Sequence, residues 1–406
     1  MESTGAHAPT RYASIDALRG LNILLMIFVN DLAGVAGSPG WMGHYHGRDG
    51  MTFVDVVFPA FLFIVGMSIP FAFRTRRGRE IHRPLWGHIL QRTVALLVIG
   101  LLMVNVQESY DSDRALLPPH VWSLLMYGGV CLVWGSFGGT RIRRVRIVGV
   151  ALLVTLALLF RGSGAEGLFQ LRPSWWGIIG LIGWAYLVSC AVYAWIGQNT
   201  MGLLGFVALL YCVFAADKGG AFDSWPLESL DGFVDIGRFL GSHAAITLSG
   251  VVLGVMLLPD SPLSTPSARI RFGLLYGAGL ALAAVLLHGL SSVDRIFAYN
   301  KVAATPPWCL LSSAFTVWTW VLIYWLMDVR GFTGWARFFR FAGENPLFAY
   351  ILEPVFASLF VLIGLSTLYG GLGESFGVGV WRSACMAVFV VWLAGFLRKL
   401  GFRLKL

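Results

Sequence analysis

The chain has 406 residues, 57% hydrophobic and 13% charged, with net charge +9 and mean hydropathy +0.73. A soluble domain carries about 25% charged residues. Roughly half that share, sustained along the whole length, excludes a water-soluble enzyme, a disordered tail and a nucleic-acid binder. Sixteen Trp and 29 Phe suit a membrane interior and its interfaces. The fold class this predicts is an all-α, polytopic transmembrane helix bundle in contact with the lipid bilayer. Cys131, Cys190, Cys212, Cys309 and Cys385 are scattered without paired spacing. They give neither a disulfide framework nor a zinc site and read as apolar packing residues, so no metal is expected.

A spanning helix needs about 20 mostly apolar residues. In chain order the segments that meet this are 17–36, 53–73, 85–106, 120–137, 145–161, 175–196, 201–216, 242–259, 271–290, 307–327, 346–365 and 382–397. That makes about twelve helices. Segments 145–161 and 201–216 are short, so ten is the alternative. Residues 1–14 form a polar N-terminal segment, and the first apolar helix lacks a small-residue cleavage site, so a cleavable signal is not expected. With the N-terminus inside and alternating spans, nineteen basic residues fall on the cytoplasmic side and nine outside. The positive-inside bias then puts both termini in the cytoplasm, in an inner or plasma membrane if the protein is bacterial. Residues 1–406 read as one transmembrane domain, with 217–241 as its longest external loop. That loop carries Asp217, Asp223, Glu228, Asp231 and Asp235 and reads as a solvated acidic loop in preference to a lid over substrate. No repeat of 20–50 residues is visible, nor a pairing of broken helices between the halves, which weighs against a transporter built on inverted repeats.

Ionisable residues inside spans are costly and mark functional sites by default. The first helix holds Asp16 and Arg19, three apart on one face and able to pair. Its far end holds Asn30 and Asp31, and Arg19 and Asn30 are separated by about 17 Å of helix rise. The following outer loop carries His44 and His46, and Asp55 enters with the second helix, four residues before Pro59. A carboxylate beside an imidazole fixes its tautomer for general-base work. The plainer reading is that Asp55 caps the helix and the histidines are merely exposed. The third helix holds His88 and Arg92. Arg92 either snorkels to lipid phosphate or shares an anion site with Arg19. In Asn300-Lys301, before Pro306-Pro307, the lysine either steers a substrate or belongs to a turn. Asn345 is placed as N-cap, with Pro346 at the first helical position, and such an N-terminus suits phosphate as well as helix initiation. Glu353 is mid-membrane and needs a partner that the sequence does not identify. His120 and His288 read as packing histidines.

The stretch 11–73, with SIDALRG, MIFVN and DGMTFVDVVFPAFLFIVGMSIP, resembles the heparan-alpha-glucosaminide N-acetyltransferase family and its bacterial relatives. Further matches are HILQRTVALLVIGLLMVN (88–105), NKxxATPPWCL (300–310) and GENPL (343–347), while 138–290 matches mainly by hydropathy. The opening Asp-x-x-Arg-Gly is also similar to the start of the broader transmembrane acyltransferase group. No large N-terminal domain precedes the motif, as in the bacterial members. The resemblance implies that acetyl-CoA is taken from the cytosol and its acetyl group passed to an amine or hydroxyl of an extracytoplasmic sugar or glycan. It implies a catalytic His in the outer loop, matched by His44 with His46 as second candidate, and an adjacent Asn, matched directly by Asn30. Counting back ten residues from Asp55 lands on Tyr45, whereas the run Trp41-Met42-Gly43-His44 fits the bacterial pattern. Together the two readings assign His44, Asn30, Asp55 and His46 to catalysis. They assign Asp16, Arg19, Arg92 and Asn345 to acetyl-CoA, and Asn300 and Lys301 to the acceptor. The rival classes are a secondary transporter of a sugar or organic anion, with Asp55, Arg92 and Glu353 as a relay, and an idle scaffold.

Overall fold

The structure, a computed structural model, describes residues 12–74, 82–136, 142–164, 167–223, 233–343 and 345–404. Arg11, Arg76, Arg77, Arg79, Arg141, Glu228, Asp231 and Lys405, which entered the topology and loop expectations, lie outside the described residues.

The protein is an all-α polytopic bundle. Its helices are α1 (Ala13–Leu32), α2 (Val54–Arg74), α3 (His82–Glu108), α4 (Pro119–Trp134), α5 (Ile142–Leu159), α6 (Gly177–Ile196) and α7 (Thr200–Lys218). There follow α8 (Ile236–Met256), α9 (Pro266–His288), α10 (Pro306–Val329), α11 (Arg337–Gly343), α12 (Pro346–Leu362), α13 (Ser366–Gly371) and α14 (Phe376–Lys399). Among the described residues, nine of these helices are long and apolar enough to cross a bilayer: α1, α2, α3, α6, α7, α8, α9, α10 and α14. The remaining three expected segments coincide with α4, α5 and α12, so every apolar segment read from the sequence falls on a helix. The segment at 201–216 proves to be part of the 19-residue α7. Two short helices, α11 and α13, were not foreseen. Nor were the π-helical stretches Ile236–His243, which starts α8, and Trp325–Val329, which ends α10. α2 runs through Pro59 and Pro70 as one helix.

Interhelical bonds sort the helix ends into two groups. At the end where α1 begins, Ser14 N–H donates to Asp328 at the end of α10 (3.2 Å). There too, Arg74 at the end of α2 pairs with Asp260 beyond α8 (2.7 Å), and Ser136 N–H donates to the Arg403 carbonyl (2.7 Å). At the opposite, distal end, Asp31 of α1 meets Arg382 of α14, and Lys218 of α7 meets Asp235 before α8. Asp49 before α2 meets His288 at the end of α9. Long helices therefore alternate in direction. The described chain starts and finishes at the same, proximal end, where the Leu404 N–H reaches Asn345 (3.4 Å).

Where helices cross closely, a hydrogen replaces a side chain. A Cβ on Gly66 of α2 would meet the Thr247 carbonyl oxygen at 1.8 Å, and one on Gly250 of α8 would meet that of Phe63 at 1.9 Å. Small residues that let backbones touch are the usual basis of helix association where lipid offers no hydrophobic drive. The outer faces are apolar: Leu275 and Leu286 of α9, and Trp381 and Trp392 of α14, are exposed. Such faces are a liability in water but are the natural surface of a multi-pass membrane protein. Two sequence expectations change at this level. Cys212 and Cys385 are exposed on helix flanks, so they are not interior packing residues. His288 is no packing histidine either. Its Nε2 lies 2.9 Å from the Asp49 carboxylate and its ring stacks on Tyr299 at 4.2 Å, tying α9 to the loop before α2.

Candidate active site

Asp55 starts the distal site. It sits in the first turn of α2, 1% exposed, and its two oxygens do different work. Oδ2 accepts the Thr52 N–H (3.0 Å), the acidic half of a capping box, and the Tyr45 N–H (3.1 Å). Oδ1 faces His44 Nδ1 (3.0 Å) and Lys301 Nζ (3.1 Å). Asp55 thus caps α2 through one oxygen and faces the imidazole through the other, so His44 is not merely exposed. Because the carboxylate accepts, Nδ1 of His44 carries the proton and Nε2 is the free basic nitrogen. His44 is 37% exposed, so that nitrogen is reachable. His46 is exposed and makes no hydrogen bond among the described residues.

Burial pulls the Lys301 ammonium below its ordinary pKa, and the bond and charge of Asp55 restore only part of the difference. Asn300 does not face the dyad as a ligand would. Its Oδ1 accepts the Ala303 N–H (2.9 Å) and its amide donates to the Arg48 carbonyl (3.4 Å), so it shapes the turn that presents Lys301. The same turn is braced through Asp49. Burial would raise the Asp49 pKa, but the Tyr299 N–H and His288 hold its carboxyl below the ordinary range. The loop also sinks into the bundle. Asn22, midway along α1, donates to the Val57 carbonyl (3.1 Å), which sets the first turns of α2, and the dyad with them, beside the middle of α1.

A second site lies at the proximal end. A cavity of about 290 Å³ is lined by Arg19, Ser68, Arg92, Tyr186 and Gly343 together with apolar residues of α1, α2, α6 and α12. Arg19 donates to the Gly343 carbonyl (3.1 Å) and Ser68 Oγ (2.5 Å) and reaches Asp16 at 3.4 Å. Arg92 stacks over the Tyr186 ring at 4.7 Å, and its buried Nε has no hydrogen-bond partner among the described residues. Two guanidinium groups facing one small cavity give it the chemistry to attract an anion. Asn345 stands before α12 but does not cap it with its side chain. Its Oδ1 takes the Leu404 N–H and its amide nitrogen is buried without a partner among the described residues, while Pro346 and Leu347 behind it line the cavity. The capping expectation for the Asn345 side chain is corrected accordingly; Pro346 does begin the helix.

Arg19, Ile23 and Met26 line the cavity, and with Asn30 they follow i, i+4, i+7, i+11, one stripe of a helix. On α12, Tyr350 lines the cavity and Glu353 lies a turn beyond. The two stripes meet at their far ends, where Asn30 donates to Glu353 Oε2 (3.4 Å). Glu353 thereby gains the partner the sequence did not supply. Asp31 has a separate, structural task, accepting from Tyr369 (2.7 Å), Ser383 (2.6 Å) and Arg382 (3.2 Å). Asp55, Arg92 and Glu353, the relay of the transporter reading, are held by three different sets of partners. Ser68, Tyr186 and Tyr350 went unnoticed in the sequence because nothing distinguishes a cavity-facing Ser or Tyr in an apolar run from a packed one. Among the described residues no group of three or more His, Cys, Asp or Glu is placed to hold a metal ion.

An all-α multi-pass membrane protein with a recessed Asp–His pair near one end and a doubly cationic cavity near the other defines the class. The chain belongs to the family described as "Domain of unknown function (DUF5009)", which matches residues 11–225. It is similar to the Homo sapiens heparan-alpha-glucosaminide N-acetyltransferase, 26% identical over 389 residues, covering 87% of this chain and 54% of the relative. The Mus musculus protein of the same name is 34% identical over 103 residues, 25% of this chain and 15% of the relative. The chain thus spans about half the length of the human relative.

Proposed function

We propose that the protein is a transmembrane acetyltransferase that takes acetyl-CoA at the proximal, cytoplasmic end and acetylates an amine or hydroxyl of a sugar at the distal end. Both termini are then cytoplasmic, and in a bacterium the membrane would be the inner or plasma membrane. The observation that carries this is the single stripe of α1 running from Arg19 through Ile23 and Met26 to Asn30. It offers cationic groups for CoA phosphates, an apolar passage, and a hydrogen-bonding amide some 17 Å further on by helix rise. The names of the relatives, N-acetyltransferases, support the same chemistry.

In this reading Arg19 and Arg92 hold phosphate, with Asp16 and Ser68 fixing the Arg19 fork. Asn345 shapes the start of α12 behind the cavity wall. The Asn30 amide donates to Glu353 and also lies within hydrogen-bonding reach of Tyr350; in this reading the N–H on the Tyr350 side turns to the thioester oxygen as charge builds on it. His44 Nε2 takes the proton from the acceptor as the new C–N or C–O bond forms and the C–S bond breaks. The imidazolium returns that proton to the departing thiolate. The same nitrogen suits an acetyl-His route, in which two such transfers occur in turn. Lys301 balances Asp55 beside the acceptor, on a turn fixed by Asn300.

The test is transfer of labelled acetyl from acetyl-CoA to amino sugars by purified protein. A general base contributes about 10²–10⁴-fold, so His44→Ala loses at least about 10²-fold while His46→Ala stays within about twofold. Equal activity of both variants and the parent removes His44 from the mechanism.

A further inference from the structure

A second cavity, of about 480 Å³, lies between α1, α2 and α10, and the acetyltransferase reading does not use it. Its walls are the Leu21 and Leu25 face of α1, the Val56 and Ala60 face of α2, and Leu311 and Phe315 of α10. On α1 this face lies about 120° round the helix from the Arg19–Asn30 stripe, at 3.6 residues per turn. One helix therefore separates the two cavities. We propose that this groove seats the hydrocarbon chain of a membrane lipid whose headgroup is the sugar acceptor. The proposal rests on the acetyl-transfer reading and narrows its acceptor from any extracytoplasmic sugar to a lipid-borne one.

Three observations carry it. First, the groove opens sideways. Phe315 is 43% exposed and Thr319 is exposed, and both lie mid-span in α10, where the surroundings of a membrane protein are acyl chains and not water. Second, the polar side chains of the walls turn their donors inward. Asn22 donates to the Val57 carbonyl (3.1 Å), Thr316 to Ser312 (2.8 Å) and Thr319 to Phe315 (2.8 Å). Among the described residues the hydroxyl donors of Thr316 and Thr319 and one amide N–H of Asn22 are thus already engaged, so a sugar or phosphate inside the groove would find little to pair with, whereas a hydrocarbon chain needs no such partner. Third, the distal rim joins the dyad. Thr52 lines the groove, its N–H holds Asp55 Oδ2 (3.0 Å), and its hydroxyl donates to the carbonyl of Gly43 (2.8 Å), the residue before His44. An amphiphile with its chain in the groove has its headgroup at that rim. A free glycan gains nothing from the groove, and an ordinary phospholipid has no reason to be preferred there.

The experiment compares free glucosamine with glucosamine carried on a long hydrocarbon chain, both given to the full chain in proteoliposomes with acetyl-CoA. A tail-diazirine version of the lipid-borne sugar reports occupancy independently. Chain and groove both lie in the bilayer, so the gain comes from the raised effective concentration of the tethered headgroup at the rim, and the lipid-borne acceptor shows at least about tenfold higher kcat/KM. The label maps to α2 and α10, and Thr319→Trp, which fills the groove from an exposed position, lowers the ratio of lipid-borne to free turnover at least about fivefold. Phe315→Ala, also exposed, lowers it as well by removing one wall. The proposal is overturned if both acceptors react alike and the ratio ignores both variants. It is equally overturned if a phospholipid of the same chain length displaces the probe as well as the sugar lipid does. Labelling of α2 and α10 without acetylation of either acceptor leaves the groove standing and fails the acetyl-transfer reading instead.

Discussion

Asp55 is the residue on which the distal site depends, because one carboxylate caps α2, orients His44 and neutralises Lys301. Replacing it with Asn removes the charge but not the volume. Lys301 is then left half-buried without a counter-ion, and a buried charge that loses its partner is costlier than the absence of both. Asp55→Asn therefore lowers both the thermal midpoint and acetyl transfer, the latter by at least about 10²-fold, as expected when a base loses its orienting partner. The double variant Asp55→Asn/Lys301→Met recovers the thermal midpoint and not the transfer. Recovery of both would make the pair purely structural. Differential scanning of the detergent-solubilised variants, alongside the labelled-acetyl assay, separates these outcomes.

The elements were largely legible because spans are set by length and hydropathy, and those are properties of sequence alone. All twelve apolar segments lie on helices, and Asn30, His44 and Asp55 stood out because polar residues in apolar surroundings are conspicuous. What stayed hidden is set by pairing between distant segments. Asn22 joining Val57, Asn30 joining Glu353, and Asp31 joining Arg382 are contacts across 35 to 351 positions that no local pattern announces. The π-helical start of α8 is similarly invisible, since its apolar pattern equals that of an ordinary helix. The α2–α8 crossing offers a check at this scale. Gly250→Val would drive a Cβ to within 1.9 Å of the Phe63 carbonyl oxygen, whereas a Cβ at Gly128 of α4 meets nothing within 4 Å. Overpacking costs about 1–3 kcal/mol or more, so Gly250→Val lowers the thermal midpoint by several degrees and Gly128→Val leaves it unchanged. Equal effects would mean that α2 and α8 are not in backbone contact.

For the whole molecule, the alternation of helix direction turns a list of spans into a machine with two ends. The described chain starts and finishes at the end that holds Arg19 and Arg92, and His44 lies in the loop that descends from the other. In the proposed reading the first end faces the cytoplasm, as the charge bias of the sequence expects. On that proposal a small acetyl group crosses the barrier while the charged CoA stays behind, and neither a CoA nor a sugar transport step is needed. The most direct test uses sealed vesicles of known orientation, with labelled acetyl-CoA on the cytoplasmic side and a membrane-impermeant amino sugar on the other. Label in the sugar with donor and acceptor on opposite sides, and none when acetyl-CoA is confined to the distal side, is the predicted result. Label only when donor and acceptor share one side would contradict transfer across the membrane.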